Sequence, residues 1–390
     1  MQAEDALNAS LTGIFDQAIE QGRVVGAVCA VAHQGKLSHI SAHGFADREK
    51  QRPMLPTTGF RLSSVTKPIV TLAALRLVAA GILELDAPVT QWLPDFTPTG
   101  PQGEAVSITL HQLLTHTSGL GYGFNQDSDG PYLSAGISDG LDHVDFDLAE
   151  NLRRLSSVPL LFRPGESWAY SLGMDVMGAV IEKATGKSLP QAVAELVAMP
   201  LGMSHSGFVT AGLDNIAVAY ANSEQGAVII GENEKVPLPE GIGGSVRFSP
   251  SRVADSQAYP SGGAGMYGCA PDILSFLEAL RTGAGLLPAS LQSAIYQAHC
   301  GPEAECAGPG WGFGYGGAVL VDPQATKTPQ SPGTLSWGGV YGHNWFIDRH
   351  NDLTVVLMTN TAYEGMCGLL TLEVRDAVYA ALNAGYIPAA

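Results

Sequence analysis

The sequence predicts an α+β fold in which one antiparallel sheet is built from both ends of the chain. Three observations predict it: strand patterns occur near the amino end, they return in the last third, and helical patterns fill the middle. The 390 residues are 45% hydrophobic and 15% charged, which is a globular composition with room for two domains. We expect an α/β domain from residues 1–63 and 310–390, a mostly helical domain from 64–309, and a site between them.

The chain opens with a predicted helix and a predicted hairpin. Residues 4–21 place apolar side chains at helical spacing, and the apolar segments 24–32 and 37–43 flank the turn pair Gln34-Gly35. Further helices are predicted over 66–80, 109–115, 171–185, 271–281 and 369–382. Strands are predicted over 311–321, 334–348 and 353–360.

Two segments stand out by their composition. Residues 124–150 carry many acids, but they lack the glycine and closing glutamate of an EF-hand, so we interpret them as a solvated surface excursion. Residues 238–265 are rich in Gly, Pro and Ser and are predicted to form a long loop over the site.

Charge and cysteine usage exclude several classes of partner. A net charge of −17 disfavours nucleic acid, and the apolar run at 24–32 is too short to cross a membrane. Five scattered cysteines and an amino end without a basic, apolar leader favour reduced thiols in the cytoplasm, although Cys300 and Cys306 could pair if oxidised. No metal-ligand spacing occurs, so no metal or cofactor is expected, and the oligomeric state stays open.

Ser64 and Lys67 form the clearest candidate for chemistry. Residues three apart share one face of a helix, and Pro68 is tolerated only in a first turn, so Ser64 should lie at a helix amino end. The positive end of the helix dipole would stabilise an oxyanion there and would favour a neutral lysine, which can accept the serine proton. A serine–lysine pair at this spacing is a weak signal alone, and a capping serine beside a surface lysine is the alternative.

The surrounding segments strengthen the first interpretation. The segment around Ser64, from Phe60 to Pro68, resembles the nucleophile segment of the group that joins class C β-lactamases, DD-peptidases and family VIII carboxylesterases. Further resemblances follow in the order of that group, at Leu113–Leu120, Pro164-Gly165, Tyr170-Ser171-Leu172, Gly262–Gly265, Pro271-Asp272 and Trp337-Gly338-Gly339. The resemblance spans residues 10 to 385 and implies a β-lactamase-like fold.

The resemblance also implies roles for individual residues. Ser64 would be the nucleophile, and Lys67 would be either its base or the group that tunes Tyr170. Tyr170 would act as general base and then as acid, for which it needs a cationic neighbour, because a phenol ordinarily titrates near pH 10. The backbone N–H groups of Ser64 and of Val340, on an edge strand, would form the oxyanion hole.

Two departures from the pattern of the group indicate an ester substrate. Trp337 stands where the group often has lysine, and Leu172 stands where it often has asparagine, so the substrate-binding residues Trp337, Gly338, Gly339 and Leu172 should favour a neutral small-molecule ester. These features resemble the family VIII carboxylesterases most. His343 could line the pocket, but a strand histidine held by backbone is the favoured interpretation.

Two other functions stay open from the sequence. A β-lactamase or DD-peptidase would use the same nucleophile, and only Trp337 and Leu172 argue against it. A non-catalytic binding protein of this fold is the third hypothesis, which the intact set of Ser64, Lys67 and Tyr170 disfavours.

Overall fold

A large antiparallel sheet with helices on both faces dominates the structure, a computed structural model that describes residues 2–127 and 129–384. The strands are β1 Gly26–His33, β2 Lys36–Asp47, β3 Arg52–Pro53, β4 Gly59–Arg61, β5 Tyr220–Ser223, β6 Gly226–Ile229, β7 Glu234–Pro237, β8 Ser245–Phe248, β9 Tyr267–Cys269, β10 Trp311–Phe313, β11 Ala318–Leu320, β12 Leu335–Gly339, β13 His343–Asp348 and β14 Leu353–Thr359. The helices are α1 Gln2–Glu20, α2 Thr66–Ala79, α3 Leu110–Leu114, α4 Pro131–Ser134, α5 Leu148–Ser156, α6 Gly173–Thr185, α7 Leu189–Val193, α8 Ala270–Thr282, α9 Ala289–Ile295, α10 Pro323–Thr326, α11 Glu364–Cys367 and α12 Leu369–Asn383.

The eight strands of the main sheet come from both ends of the chain. Their order is β10-β11-β12-β13-β14-β1-β2-β3, so the two ends meet where β14 pairs with β1. That pairing is antiparallel and runs from Ala27 opposite Thr359 to His33 opposite Leu353. Every residue of β1 is buried, which explains its continuous apolar sequence. The predicted fold class is confirmed.

The first hairpin turns where the sequence predicts. Gln34 and Gly35 both have positive φ, at 52° and 79°, as a two-residue type I′ turn requires. This turn twist matches the right-handed twist of the strands on either side, so it fixes the register between β1 and β2.

The two terminal helices cover the same face of the sheet. Leu11 and Phe15 of α1 and Val374 of α12 pack in one apolar cluster with Cys29 and Val31 of β1. The side chains of β1 that point the other way belong to the main core, which runs without a break into helices α2 and α6. The division into two domains therefore stays a prediction.

The structure differs from the predicted elements in two places. The predicted strand over 311–321 is a hairpin, because the chain reverses between β10 and β11 at Gly316, whose φ is 86°. The predicted loop over 238–265 is wrong in part, since it contains β8, which pairs with β7. Alternation in Ser245–Phe248 is only four residues long, too short to stand out among the surrounding glycines.

Helix α2 is the part of the fold that matters most for the site. It is buried along most of its length in the main core, where it packs against α6 and α7. No helix within residues 2–127 or 129–384 combines the length and the apolar character needed to cross a bilayer.

The carboxylate of Asp348 ties the end of β13 to helix α12. It accepts hydrogen bonds from Ser331 N at 3.1 Å, from the amide of Asn351 at 2.8 Å and from the hydroxyl of Tyr379, while the residue is fully buried. Burial raises the pKa of Asp348, but these hydrogen bonds together lower it by more, so the pKa lies below its ordinary value.

We expect Asp348→Asn to lower the free energy of unfolding by about 2 kcal/mol, because a buried acceptor is lost and its donors are left unpaired. Since the folded pKa is depressed, wild type should hold this advantage at neutral pH and lose it as pH falls through the acidic range. Urea unfolding of both proteins at several pH values measures the difference. Asp376→Asn, at an exposed position, is the matched control and should change stability little. If the difference in unfolding free energy between wild type and Asp348→Asn persisted unchanged in acid, it would contradict a stabilising role of the Asp348 carboxylate.

Candidate active site

The hydroxyl of Ser64 lies at the amino end of a buried helix. Strand β4 leads into a single tight helical turn, Ser63–Val65, and α2 begins at the next residue, Thr66. Pro68 lies in the first turn of α2, where its missing N–H costs no intrahelical hydrogen bond. The chain therefore presents Ser64 where free N–H groups and the positive end of the helix dipole converge.

The residue before Ser64 adopts an unusual backbone conformation. Ser63 has φ of 44°, in the left-handed region that non-glycine residues rarely occupy. It is fully buried, and its hydroxyl donates to Leu62 O at 2.7 Å. Backbone strain of this kind persists only where surrounding packing holds it, and here it sets the direction in which Ser64 leaves the turn.

The amine of Lys67 joins the surrounding groups of the site. Its Nζ donates to Ser64 Oγ at 3.3 Å and to the backbone carbonyl of Gly263 at 2.8 Å. It also lies 4.5 Å from the centre of the Tyr170 ring. Only 2% of Lys67 is exposed, so the amine is separated from bulk water. The structure therefore brings the three predicted catalytic residues together.

Burial shifts the pKa values of Lys67 and Tyr170 away from their ordinary values. It lowers the pKa of the Lys67 amine, against the opposing charges of Asp175 and Asp139, and so favours the neutral base. It raises the pKa of the Tyr170 phenol, although hydrogen bonding to Ser64 and Trp337 acts the other way. Of the two roles left open for Lys67, this electrostatic arrangement favours that of base, with Tyr170 kept as a protonated phenol.

Trp337 approaches the phenol from strand β12. Its indole Nε1 donates to the hydroxyl of Tyr170 at 3.2 Å, and the two rings lie 5.2 Å apart, centre to centre. The indole is partly buried. It presents an apolar face at the position where the related group often has a lysine. Trp337 therefore both orients the phenol and excludes charge from the wall.

Two glycines of β12 leave no room for a side chain: Gly339 lies against the turn that carries Ser64, and Gly338 lies against β13. A Cβ on Gly339 would lie 2.5 Å from Ser63 Oγ and 2.7 Å from Leu62 O, and one on Gly338 would lie 2.7 Å from His343 O. Only glycine fits such approaches without displacing backbone. Val340, the predicted oxyanion donor, follows directly and is buried.

The predicted edge strand needs a correction. Strand β12 lies inside the eight-stranded sheet between β11 and β13. Its pairing with β11 ends at Ser336, however, so the Trp337–Gly339 half has a strand on one side only. The helical turn at Ser63–Val65 packs against this end of β12.

Two other residues that the sequence places near the pocket, Leu172 and His343, have buried side chains. Leu172 is fully buried in the main core at the start of α6, so the structure does not support a substrate-binding role for its side chain. His343 is buried, and its Nε2 is 2.8 Å from the carbonyl of Arg61, with its ring edge-on to Phe60. That is the favoured interpretation of a strand histidine held by backbone.

Aromatic rings pack around Tyr170 and Trp337. The ring of Phe313 is edge-on to two other rings, with centroid distances of 5.2 Å to Trp337 and 5.1 Å to His116. The ring centroid of Trp168 lies 5.6 Å from that of Phe313. Burial and the nearby Lys67 keep the pKa of His116 well below its ordinary value, so this imidazole is neutral. The wall is therefore apolar and uncharged.

Three groups next to Lys67 are absent from the predicted site. A Cβ on Gly263 would lie 2.6 Å from Asp175 Oδ2, 2.9 Å from the Tyr122 hydroxyl and 3.5 Å from Lys67 Nζ. Asp175 carries a signal that sequence reasoning could have used, since it is the one acid in the otherwise apolar run 173–181. Tyr122 and the carbonyl of Gly263 carry no such signal, because only folding brings them to the amine.

The acidic segment 124–150 is more than the solvated excursion that the sequence predicts. Asp139 is half-buried and accepts hydrogen bonds from Gly123 N at 2.7 Å and Phe124 N at 2.9 Å, and burial raises its pKa to about 7. With β7 and β8 the segment lines a partly open polar pocket of about 530 Å³, whose lining also includes Lys235 and Arg247. The interpretation as surface is therefore wrong for this part.

One group of side chains in the described chain has the composition of a metal site. The ligand atoms of His205, Cys269 and Asp272 lie within 4.8 Å of one another. The carboxylate of Asp272 already accepts from His205 N at 2.8 Å and from Ser206 Oγ at 2.9 Å, near the start of α8. These bonds account for the arrangement as a connection between the helix start and the preceding loop, away from Ser64.

Comparison with known proteins agrees with this geometry. The Beta-lactamase family model matches residues 11–378. The chain is 57% identical to Esterase EstB of Burkholderia gladioli over 96% of each chain, and 28% identical to Lovastatin esterase of Penicillium rubens over 87% of this chain and 89% of that one. The solved structure of EstCE1, described as a hydrolase with promiscuous acyltransferase activity, superposes with a TM-score of 0.95 at 47% identity and covers 97% of this chain and 100% of its own. The protein belongs to the β-lactamase family, in which it is similar to esterases.

Proposed function

We propose that this protein is a serine carboxylesterase that hydrolyses carboxylic esters through an acyl-enzyme on Ser64. The observation that carries the proposal is the buried amine of Lys67, 3.3 Å from Ser64 Oγ, in surroundings that favour its neutral form. The similarity to EstB and EstCE1 supports the reaction class.

Acylation begins with a proton transfer. Lys67 accepts the proton of Ser64 as its oxygen attacks the ester carbonyl carbon, and the N–H groups of Ser64 and Val340 hold the negative charge that develops on the carbonyl oxygen. The contact of Gly339 with the turn at Ser63 supports this pairing of donors, because it brings Val340 beside the helix start.

Departure of the alcohol uses the phenol. Tyr170 gives its proton to the leaving oxygen and regains one from the ammonium of Lys67, so no net charge is left on the pair. A water molecule then attacks the acyl carbon by the same relay in reverse, and Ser64 leaves with a proton restored. Because the phenol resists ionisation, Tyr170 serves better as acid than as resting base.

The wall of the cleft selects the substrate. The partly buried rings of Trp337 and Trp168, with the buried ring of Phe313 packed against them, form an apolar surface that suits the acyl or alcohol part of an uncharged ester. A β-lactam or peptide carboxylate would find no cation at Trp337. This difference ranks the ester above a β-lactam or a DD-peptide as substrate.

The protein's location and surroundings extend the proposal. We place the enzyme in the cytoplasm, supported by five cysteines that are free thiols, and expect a small-molecule ester rather than nucleic acid or membrane as its partner. The net charge of −17 supports the exclusion of nucleic acid.

Ser64→Ala should lower kcat/KM for short p-nitrophenyl esters by at least about a thousandfold, because the attacking oxygen is lost. The neighbouring Ser63→Ala is the matched control. It should keep most activity, because the Ser63 hydroxyl bonds to the backbone carbonyl of Leu62 and not to a reacting group. A fluorophosphonate probe, read by mass spectrometry, should label wild type at Ser64 only. Full activity in Ser64→Ala would refute the nucleophile, and a folded wild type that neither labels nor hydrolyses esters would favour the non-catalytic hypothesis.

Lys67→Arg should lower kcat at least about a hundredfold, because a guanidinium keeps its proton and cannot serve as base. In wild type, kcat/KM should rise with pH as Lys67 loses its proton, and the midpoint should lie below the ordinary lysine value of 10.5 because burial lowers this pKa. A pH–rate profile measures the midpoint. A profile that rises only above pH 10 would contradict the assignment.

Trp337→Phe should lower kcat on esters by about three- to tenfold, since the ring is kept but the hydrogen bond to Tyr170 is lost. Trp337→Lys should lose more ester activity and gain relative rate on nitrocefin, whose carboxylate needs a cation. Wild-type rates on nitrocefin and an ester, measured side by side, test the ranking. A wild type that is faster on nitrocefin would reverse it.

A further inference from the structure

We propose that Asp175 is a positioning residue of this site: its buried carboxylate is the counter-charge that sets the pH at which Lys67 becomes a free base. The inference rests on the proposed function, because it assigns to Asp175 a task that acts through Lys67.

Asp175 lies in the first turn of α6, five residues after Tyr170. The residue is 1% exposed, and both oxygens are buried without a hydrogen bond of good geometry among the described residues. Burial raises the pKa of Asp175 to about 6, while Ser261, the charges of Lys67 and Arg252 and the N–H of Gly263 act the other way and favour the charged form. A buried carboxylate left in this state is costly to the fold, so it requires another reason to be there.

The reason is the nearby amine. The 2.6 Å and 3.5 Å distances from one point on Gly263 to Asp175 Oδ2 and Lys67 Nζ put the two atoms within about 6 Å, the range in which an opposite charge shifts a pKa. Gly263 has no side chain that could separate them, and the Tyr122 hydroxyl lies 2.9 Å from the same point. The amine of Lys67 therefore has three polar neighbours. It donates hydrogen bonds to Ser64 and to the carbonyl of Gly263, and it interacts electrostatically with Asp175.

The sign of the effect follows from the charges. Burial alone would drive Lys67 fully neutral and make it a poor acceptor, because a base whose pKa lies far below the working pH has little affinity for the serine proton. A carboxylate nearby raises that affinity. Asp175 therefore balances burial, and the base titrates closer to neutral pH than it would alone.

Other charged and titratable groups also face this pair. They are Asp139 from the segment before α5, Tyr122, His116 and Tyr170 from the loops on either side, and Tyr259 and Arg252 from the stretch before Gly262. His116 is neutral, and Tyr122 and Tyr259 have pKa values well above their ordinary range, so these three carry no charge near neutral pH. Asp139 acts on Lys67 in the same direction as Asp175 but is the weaker influence.

The test is the pH dependence of Ser64 reactivity in Asp175→Asn, which keeps the shape of the side chain and removes its charge. The rising limb of kcat/KM, and of the rate of fluorophosphonate labelling, should move to lower pH by about one unit or more. Asp175→Glu should restore the wild-type limb. The labelling limb is independent of how much protein is folded, so a reduced yield does not obscure it, and Asp175→Ser provides a second variant without the carboxylate.

Asp348→Asn is the control for loss of a buried carboxylate remote from the cleft, and it should lower stability without moving the limb. A limb that stays at the wild-type pH in both Asp175→Asn and Asp175→Ser, or moves to higher pH, would overturn the proposal and leave Asp175 a packing residue. If wild type itself showed no ester hydrolysis and no labelling, the proposed function would fail instead.

Discussion

Burial of one amine beside one hydroxyl is the constraint on which the rest of this site depends. Lys67 needs to be desolvated to act as a base, yet an isolated buried ammonium or an overly depressed base would not serve. The carbonyl of Gly263 and the carboxylate of Asp175 supply that balance from two other parts of the chain. Helix α2, α6 and the glycine-rich stretch therefore have to meet at one point.

Close backbone approach is how the fold satisfies this constraint. Gly339 brings β12 against the turn at Ser63, and Gly262 and Gly263 bring the stretch before β9 against α6. Side chains at these positions would collide with backbone or with the charged groups themselves. Glycine is thus required here by the contact distances, and this is the physical basis of the glycine pairs that the resemblance singled out.

The same scaffold is adapted to its substrate by what covers the cleft. Trp337 occupies a position where a cation would serve an anionic substrate, and it joins Phe313 and Trp168 in an aromatic wall. Its indole N–H still contacts the Tyr170 hydroxyl, so the substitution changes the chemistry of the wall and keeps an orienting bond to the phenol. Selectivity and proton transfer are therefore linked through one side chain.

The sequence by itself determined the fold class, the hairpin at Gln34-Gly35, the place of Ser64 at a helix start and the spacing of Lys67, because these follow from local periodicity, turn chemistry and proline. It also marked Tyr170 and Trp337 through resemblance. It assigned Leu172 to the cleft, although its side chain is in the core. Only the tertiary structure decided that Asp175 and Tyr122 lie beside Lys67 and that the acidic segment lines a pocket, since distances between residues far apart in the chain depend on how α2, α6 and the sheet pack.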